Sequence, residues 1–326
     1  MNQIRKIRWL IAHEPVELFL RTAEAFKEKI AELTDNSFEV EIYTPSEYIE
    51  KFGKIPNHPL PYAQIDPIVH MDEGHIEMSQ MHITELARWD SPDFYALELP
   101  FLFRDHDHAT RVLEGDIGKG MLKKLADESP ATGLAFTYSG GFRCIASDKE
   151  VNTLDDLKQV VFATATNPIT IDTVKAIGAT PNTFSIRDFI KNASCVEGFE
   201  SDVLETTIPR YLALYKDTSN KRYLINTKHS LFLTSIIVST KFWESLGEEM
   251  QAKFQEACTH ASRLERKWSV EDAENFAAKA DHSDINVHYT EFDLAETEKF
   301  KELTKPIYNK YKDFFYPGLV DGIIKS

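Results

Sequence analysis

A chain of 326 residues, 42% hydrophobic and 27% charged, can bury more core than one compact domain normally holds. No stretch approaches the roughly eighteen apolar residues needed to cross a bilayer. The formal net charge of −15 argues against non-specific nucleic-acid binding, which needs a basic face to release counterions, and obliges an anionic ligand to find local positive charge.

The opening stretch MNQIRKIRWLIAHEP carries basic residues and a short apolar run, without the longer apolar core and small-residue cleavage site of a secretory leader. It reads as a strand over Lys6–Ala12, and Met1 reads either as a cytoplasmic start or as an expression start standing where a leader was removed. A helix follows, with Leu18, Ala23, Phe26, Ile30 and Leu33 recurring at spacings of three to five. Ser37–Pro45 alternates with period two and ends in proline, and Gly74–His82 reads as a third strand. Ala131–Ser147 predicts a long strand interrupted at Gly140–Gly141, where the chain can bend or cross between domains. A second alternation begins at VVFATA, with helices near Ile169–Ile177 and Ile186–Ala193. It is followed by a buried-looking strand over Leu231–Thr240 and a helical stretch from Lys241 to about Ala280, capped by Ser239 or Thr240. Strands alternating with helices predict an α/β fold with mostly parallel sheets. Two such regions without a flexible linker predict two lobes, a hinge and a central cleft. The expected lobes are 1–140 with 229–269, and 141–228 with 270–326.

Arg104–Arg111 reads RDHDHATR, and its two His and two Asp suggest a metal site. On a helix or a strand, however, His106 and His108 do not converge as an i, i+4 pair would, and no neighbour supplies further ligands. The cluster reads instead as a solvated helix start capped by Asp105 or Asp107, and no metal or cofactor is expected. Cys144, Cys195 and Cys258 are widely spaced, with no CxxC, and read as small buried hydrophobes.

The stretch Gly74–Leu125, GHIEMSQMHITELARWDSPDFYALELPFLFRDHDHATRVLEGDIGKGMLKKL, resembles the solute-binding proteins of TRAP transporters, the dicarboxylate-receptor family. That family has a G-x-I-[ED]-M strand and an LPFLFRDxxHAxxVLxG helix entry. VNTLDDLK (Val151–Lys158), GATP (Gly178–Pro181), VEGFE (Val196–Glu200) and STKFWESLGEEMQAKFQEA (Ser239–Ala257) follow in the family's order. The resemblance implies a periplasmic-binding-protein-like fold whose two α/β lobes share a hinge and a long helix running across both. It also implies closure on a small, usually acidic solute, delivery to membrane permease subunits, and a periplasmic location, with a cytoplasmic relative as the alternative. Neither nucleic acid nor insertion in the membrane is expected.

The pattern breaks where the family holds a ligand carboxylate with an Arg ending a DLKGLKxR strand. Here DLKQVVFATATNP puts Gln159 at the Gly position and Ala163 at that of the Arg. A guanidinium fork on a carboxylate is strong and directional, so its loss changes how an acid can be held. EGFESD likewise places Ser201 and Asp202 where the family tends to have Asn–Pro. Arg143, in GGFRCIAS, matches the family's other Arg and is the expected cationic anchor. His13 and Glu14 occupy the loop after the first strand. His82 ends the third strand on the side where open α/β sheets bind ligands. Tyr138, Trp89, Phe184 and Phe199 are candidate walls, and Phe162 and Phe199 would make the site more apolar.

Three solute readings stand: an organic acid held by Arg143 with His13 or His82, a neutral or differently charged solute, or a divergent sensor or partner-binding protein. An enzyme is disfavoured, since no G-x-S-x-G, Walker, G-x-G-x-x-G or H-E-x-x-H motif occurs.

Overall fold

The computed structural model describes residues 4–11, 16–52, 66–89, 91–184, 201–214, 219–279 and 281–326. The chain forms two compact α/β units. Unit 1 comprises Met1–Ser91, Thr110–Tyr138 and Leu233–Trp268, and unit 2 comprises Pro92–Ala109, Ser139–Phe232 and Ser269–Ser326.

In unit 1, β1 (Arg5–Ile11) pairs in parallel with β2 (Phe38–Tyr43) and β3 (Met78–His82). β9 (Leu231–Ser239) runs antiparallel to β3, with Thr234 opposite His82, and β4 (Ala131–Ser147) follows β9 in the strand order. Every residue of β9 is buried, as befits a central strand covered on both faces. One face of β1 buries Ile7, Trp9 and Ile11. Against it α1 (Val16–Leu33) lays Phe19, Ala23, Phe26 and Ile30, spaced by three and four so that one helical stripe faces the core. The short helices α2 (Pro45–Phe52), α3 (Pro67–Asp72) and α4 (Ile83–Ala87) complete the crossovers. α5 (His106–Glu114) and α6 (Asp116–Glu128) lead into β4.

In unit 2, β5 (Val161–Ala165) pairs in parallel with β6 (Thr180–Phe184) and β7 (Val203–Thr207), while β7 runs antiparallel to the second half of β4. β8 (Arg222–Asn226) is antiparallel to β4, and β10 (Val287–Glu291) lies parallel to β8. α7 (Pro168–Ala176) is capped by Asn167, whose side chain accepts from the amides of Ile169 and Thr170. α8 (Ile208–Leu214) follows β7 directly. The core joins Ile145, Leu157, Phe162, Val174 and Val203 to Phe300 of α11 (Leu294–Tyr311).

Three expectations are corrected. The helix expected from Lys241 is two helices, α9 (Thr240–Glu244) and α10 (Glu248–Ala277), interrupted at Ser245–Gly247, where glycine is a poor helix former. Ser239 does cap the first, accepting from the amide of Phe242. Residues 92–109, expected in the first lobe, belong to unit 2: Asp93 accepts from the Tyr316 amide, Tyr308 donates to the Pro100 carbonyl, and His108 meets the carbonyl of Ile323 in α12 (Leu319–Lys325). The RDHDH cluster is only partly solvated, because His108 is fully buried, while Asp105 caps α5 by accepting from the His108 amide.

Gly140 and Gly141 lie within a continuous β4 at φ +92° and +88°. A Cβ at Gly140 would stand 2.2 Å from Thr207 Oγ1, so both its φ and its surroundings require glycine. Among the described residues, no helix is long and apolar enough to cross a membrane, and no group of His, Cys, Asp and Glu is placed to hold a metal.

Candidate functional site

Unit 2 contains a buried charged network centred on Arg143, in the half of β4 beyond the glycine pair. Arg143 is 2% exposed. Its Nη2 donates to both oxygens of Glu98, at 3.1 and 2.9 Å, and its Nη1 donates to Glu205 Oε2 at 2.9 Å. Glu98 comes from the 3-10 turn Pro92–Glu98, and Glu205 from the middle of β7. Glu205 also accepts from Thr164 Oγ1 of β5 at 3.0 Å and meets His229 Nε2 at 2.9 Å. The His229 ring stacks on Phe300, and its Nδ1 meets Thr227 Oγ1 at 2.6 Å. Burial opposes the charge on Glu205, but Arg143 and the hydrogen bonds from His229 and Thr164 outweigh it and hold the carboxyl at about 2.

A second guanidinium shares an aromatic partner with the first. Arg210 of α8 donates from Nη1 to Ser139 Oγ at 3.0 Å. Both guanidinia face the Phe232 ring, Arg143 at 4.0 Å and Arg210 at 4.8 Å from its centroid. Cation–π contact with a buried ring and a fork on two carboxylates fix the Arg143 guanidinium in one plane. Such an arrangement holds a guanidinium in a fixed orientation. It does not equip an acid or base, because Glu205 is held as the anion with three partners already in place.

The other expected site residues are placed as follows. Ala163 is fully buried in β5, with Asn182 of β6 and Leu204 of β7 as its strand neighbours. Ser201 is half-buried and accepts from Asn182 Nδ2 at 3.2 Å. Phe162 lies in the core of unit 2. Phe184 ends β6, and its side chain, like all of His13, Glu14, Phe199 and Cys195, lies outside the described residues.

In unit 1, His82 ends β3 at the N-terminus of α4 and is 7% exposed. Tyr138 is buried in β4, where its amide donates to Glu265 Oε2 at 2.6 Å and its carbonyl accepts from Thr234. Trp89 packs, half-buried, on Val69.

The structure thus surrounds Arg143 with groups the sequence reading did not single out: Glu98, Glu205, His229, Arg210 and Phe232. One signal was available. Glu205 interrupts the strand run VLETT with a charge, and a lone acid in a strand needs a buried cation.

A family model described as bacterial extracellular solute-binding protein, family 7 (DctP), matches residues 13–313. The C4-dicarboxylate-binding periplasmic protein DctP of Rhodobacter capsulatus is 20% identical over 290 residues, 88% of this chain and 80% of its own length. The C4-dicarboxylate-binding protein DctB of Bacillus subtilis is 24% identical over 284 residues, 84% of this chain and 76% of its own. A solved TRAP periplasmic solute-binding protein from Polaromonas, bound to D-erythronate, aligns with a TM-score of 0.82 at 21% identity, covering 98% of each chain. The sugar acid binding protein DctPAm from Advenella mimigardefordensis, in complex with galactonate, aligns at 0.81 and 22% identity, covering 100% of this chain and 98% of that one. At these identities the structures establish a shared fold, while the family model spans nearly the whole sequence. The chain therefore belongs to the DctP family of bacterial extracellular solute-binding proteins, family 7.

Proposed function

We propose that this solute-binding protein captures a small organic acid in the periplasm and delivers it to the membrane permease subunits of a TRAP-type transporter. The family match over residues 13–313 carries the reading. It is supported by relatives named for C4-dicarboxylate binding and by related structures holding erythronate, galactonate and succinate. Family and relatives are binders, not enzymes.

In this reading Arg143 is the anchor for the solute carboxylate, and its neighbour Arg210 supplies the positive charge that Ala163 does not. Glu98 and Glu205 together outweigh Arg143, and Arg210 brings the four charges into balance, so an acid is drawn by the direction of the guanidinium donors and not by a net positive charge. Binding is expected to be accompanied by closure, which small-angle scattering would register as a smaller radius of gyration.

The test is thermal-shift and calorimetric titration of the purified protein with C4-dicarboxylates and C4 to C6 sugar acids. Mass spectrometry of small molecules released on denaturation runs alongside. A saturable organic acid should be found, with affinity reduced about tenfold or more in Arg143→Lys and in Arg210→Lys, since lysine keeps the charge and loses the fork. A bound solute without a carboxylate, or an acid whose affinity is unchanged in both variants, refutes the assignment.

A further inference from the structure

Unit 1 carries a groove of its own, about 640 Å³ in volume, along the first strand residues of β4. One wall is α6, which turns Lys119, Leu122, Lys123, Ala126 and Asp127 into it at the three- and four-residue spacing of a single helical face. Beside them run Thr132 to Phe136 of β4, with Leu122 packed directly against Gly133. The remaining wall comes from Trp243 and Glu244 of α9 and from Gln255, Thr259 and Arg263 of α10. The middle is apolar, from Leu122, Leu134, Ala135 and Trp243, in a volume of the size that encloses small ligands.

The two ends differ in charge. Where α6 begins, Arg263 and Arg266 both pair with Glu114, and Lys119 and Lys123 add to them, so cations outnumber the single acid. Arg266 also reaches the Phe136 carbonyl, which places that end of β4 there. At the other end Thr132 meets Thr240 at 3.0 Å, and the charged groups are Asp127 and Glu244. The groove therefore passes from acidic to basic in the direction in which β4 runs. β4 is also the last strand of unit 1's sheet order, and the side chain of Gln255 caps its Leu134 carbonyl at 2.7 Å.

We propose that this groove binds a short extended peptide with an apolar middle. Its free amine would lie toward Asp127 and Glu244, and its carboxylate toward Lys119, Lys123 and Arg263. The charge order matches that of a zwitterionic peptide. Thr132 to Phe136 span roughly 16 Å as a strand, room for four or five residues laid alongside. The site lies wholly within unit 1 and is distinct from the Arg143 network in unit 2.

The experiment is titration of the full chain with the tetrapeptide Ala-Leu-Val-Ala, followed by Trp243 emission and by calorimetry. The same peptide is also tested with its N-terminus acetylated or its C-terminus amidated. The free-ended peptide should saturate, and the emission change should vanish in Trp243→Phe. Amidation should weaken binding by about three- to tenfold, as should Lys123→Glu and Arg263→Glu in the free-ended case. In the double variant amidation should no longer matter, while acetylation still does. Lys123, Arg263 and Glu244 are exposed, so these variants should fold, and circular dichroism confirms it. Glu244→Lys should weaken the free-amine peptide and leave the acetylated one unchanged. No saturation in the wild type, equal affinity for free and capped peptides, or binding indifferent to the charge reversals overturns the proposal. Arg143→Lys should leave peptide binding unchanged, so the outcome is independent of the organic-acid reading.

Discussion

Replacing Glu205 by Gln removes one negative charge from a network in which every partner is buried. The carboxyl is held at about 2 against an ordinary value of 4.5. That displacement corresponds to about 3 kcal/mol of preference for the charged form in the folded protein. Glutamine keeps the shape and one acceptor, and Glu98 still forks Arg143, so a loss of about 2–3 kcal/mol is expected near pH 7. The pH dependence separates this electrostatic origin from a packing defect. A carboxyl with a depressed folded-state value contributes fully above its unfolded value and loses that contribution as pH falls toward the folded one. The contribution should shrink to about 1 kcal/mol near pH 3, whereas glutamine has nothing to lose there. Urea unfolding of both proteins near pH 7 and near pH 3, followed by circular dichroism, reads the gap directly. A gap of equal size at both pH values, or one below about 0.5 kcal/mol near neutrality, would refute the account of how Arg143 is held.

Gly140→Ala should destabilise the protein by about 2 kcal/mol or more, since the new methyl meets both a left-handed backbone and the Thr207 hydroxyl; Gly141→Ala, whose Cβ meets only a His106 ring atom at 3.7 Å, should cost clearly less. Thermal unfolding of the pair checks this ordering. His108→Ala should cost about 1–3 kcal/mol and loosen the C-terminal helix α12, visible as faster amide exchange at Ile323–Lys325, because His108 links the Arg104 amide to the Ile323 carbonyl. Cys144 and Cys258 are buried, and burial raises both thiols well above the ordinary range. Neither should be alkylated in the native protein, and both should react after denaturation, as peptide mass spectrometry would show.

The fold was legible where periodicity and burial agree. Phe26 and Ile30 face the core as their spacing demands, and the apolar run from Leu231 is a strand buried on both sides. The break at Gly247 was harder to read, because a single glycine inside a helical pattern is tolerated as often as it terminates. The placement of residues 92–109 could not be read from sequence order, since it depends on contacts with Tyr308, Tyr316 and Ile323, more than 200 residues away. The same holds for the charged network. Arg143 stood out through the resemblance, but Glu98, Glu205 and His229 lie far apart in the chain and acquire meaning only when strand pairing brings them together. The absent Arg at Ala163 was visible as a departure, yet Arg210, which faces the same Phe232 ring as Arg143, follows from the geometry of α8 alone.

The division of each unit among three separate stretches of chain bears on when the protein can fold. Trp9 and Phe26 share a core with Phe254, Ala257 and Ala261, and Ile145 and Phe162 share one with Phe300. Neither core can close while the chain is partly made, because each waits for a helix from its last quarter. A nascent chain with such long-range contacts folds late and slowly. Both cores are therefore completed only near the end of synthesis, and a chain truncated before its last quarter should lack both of them.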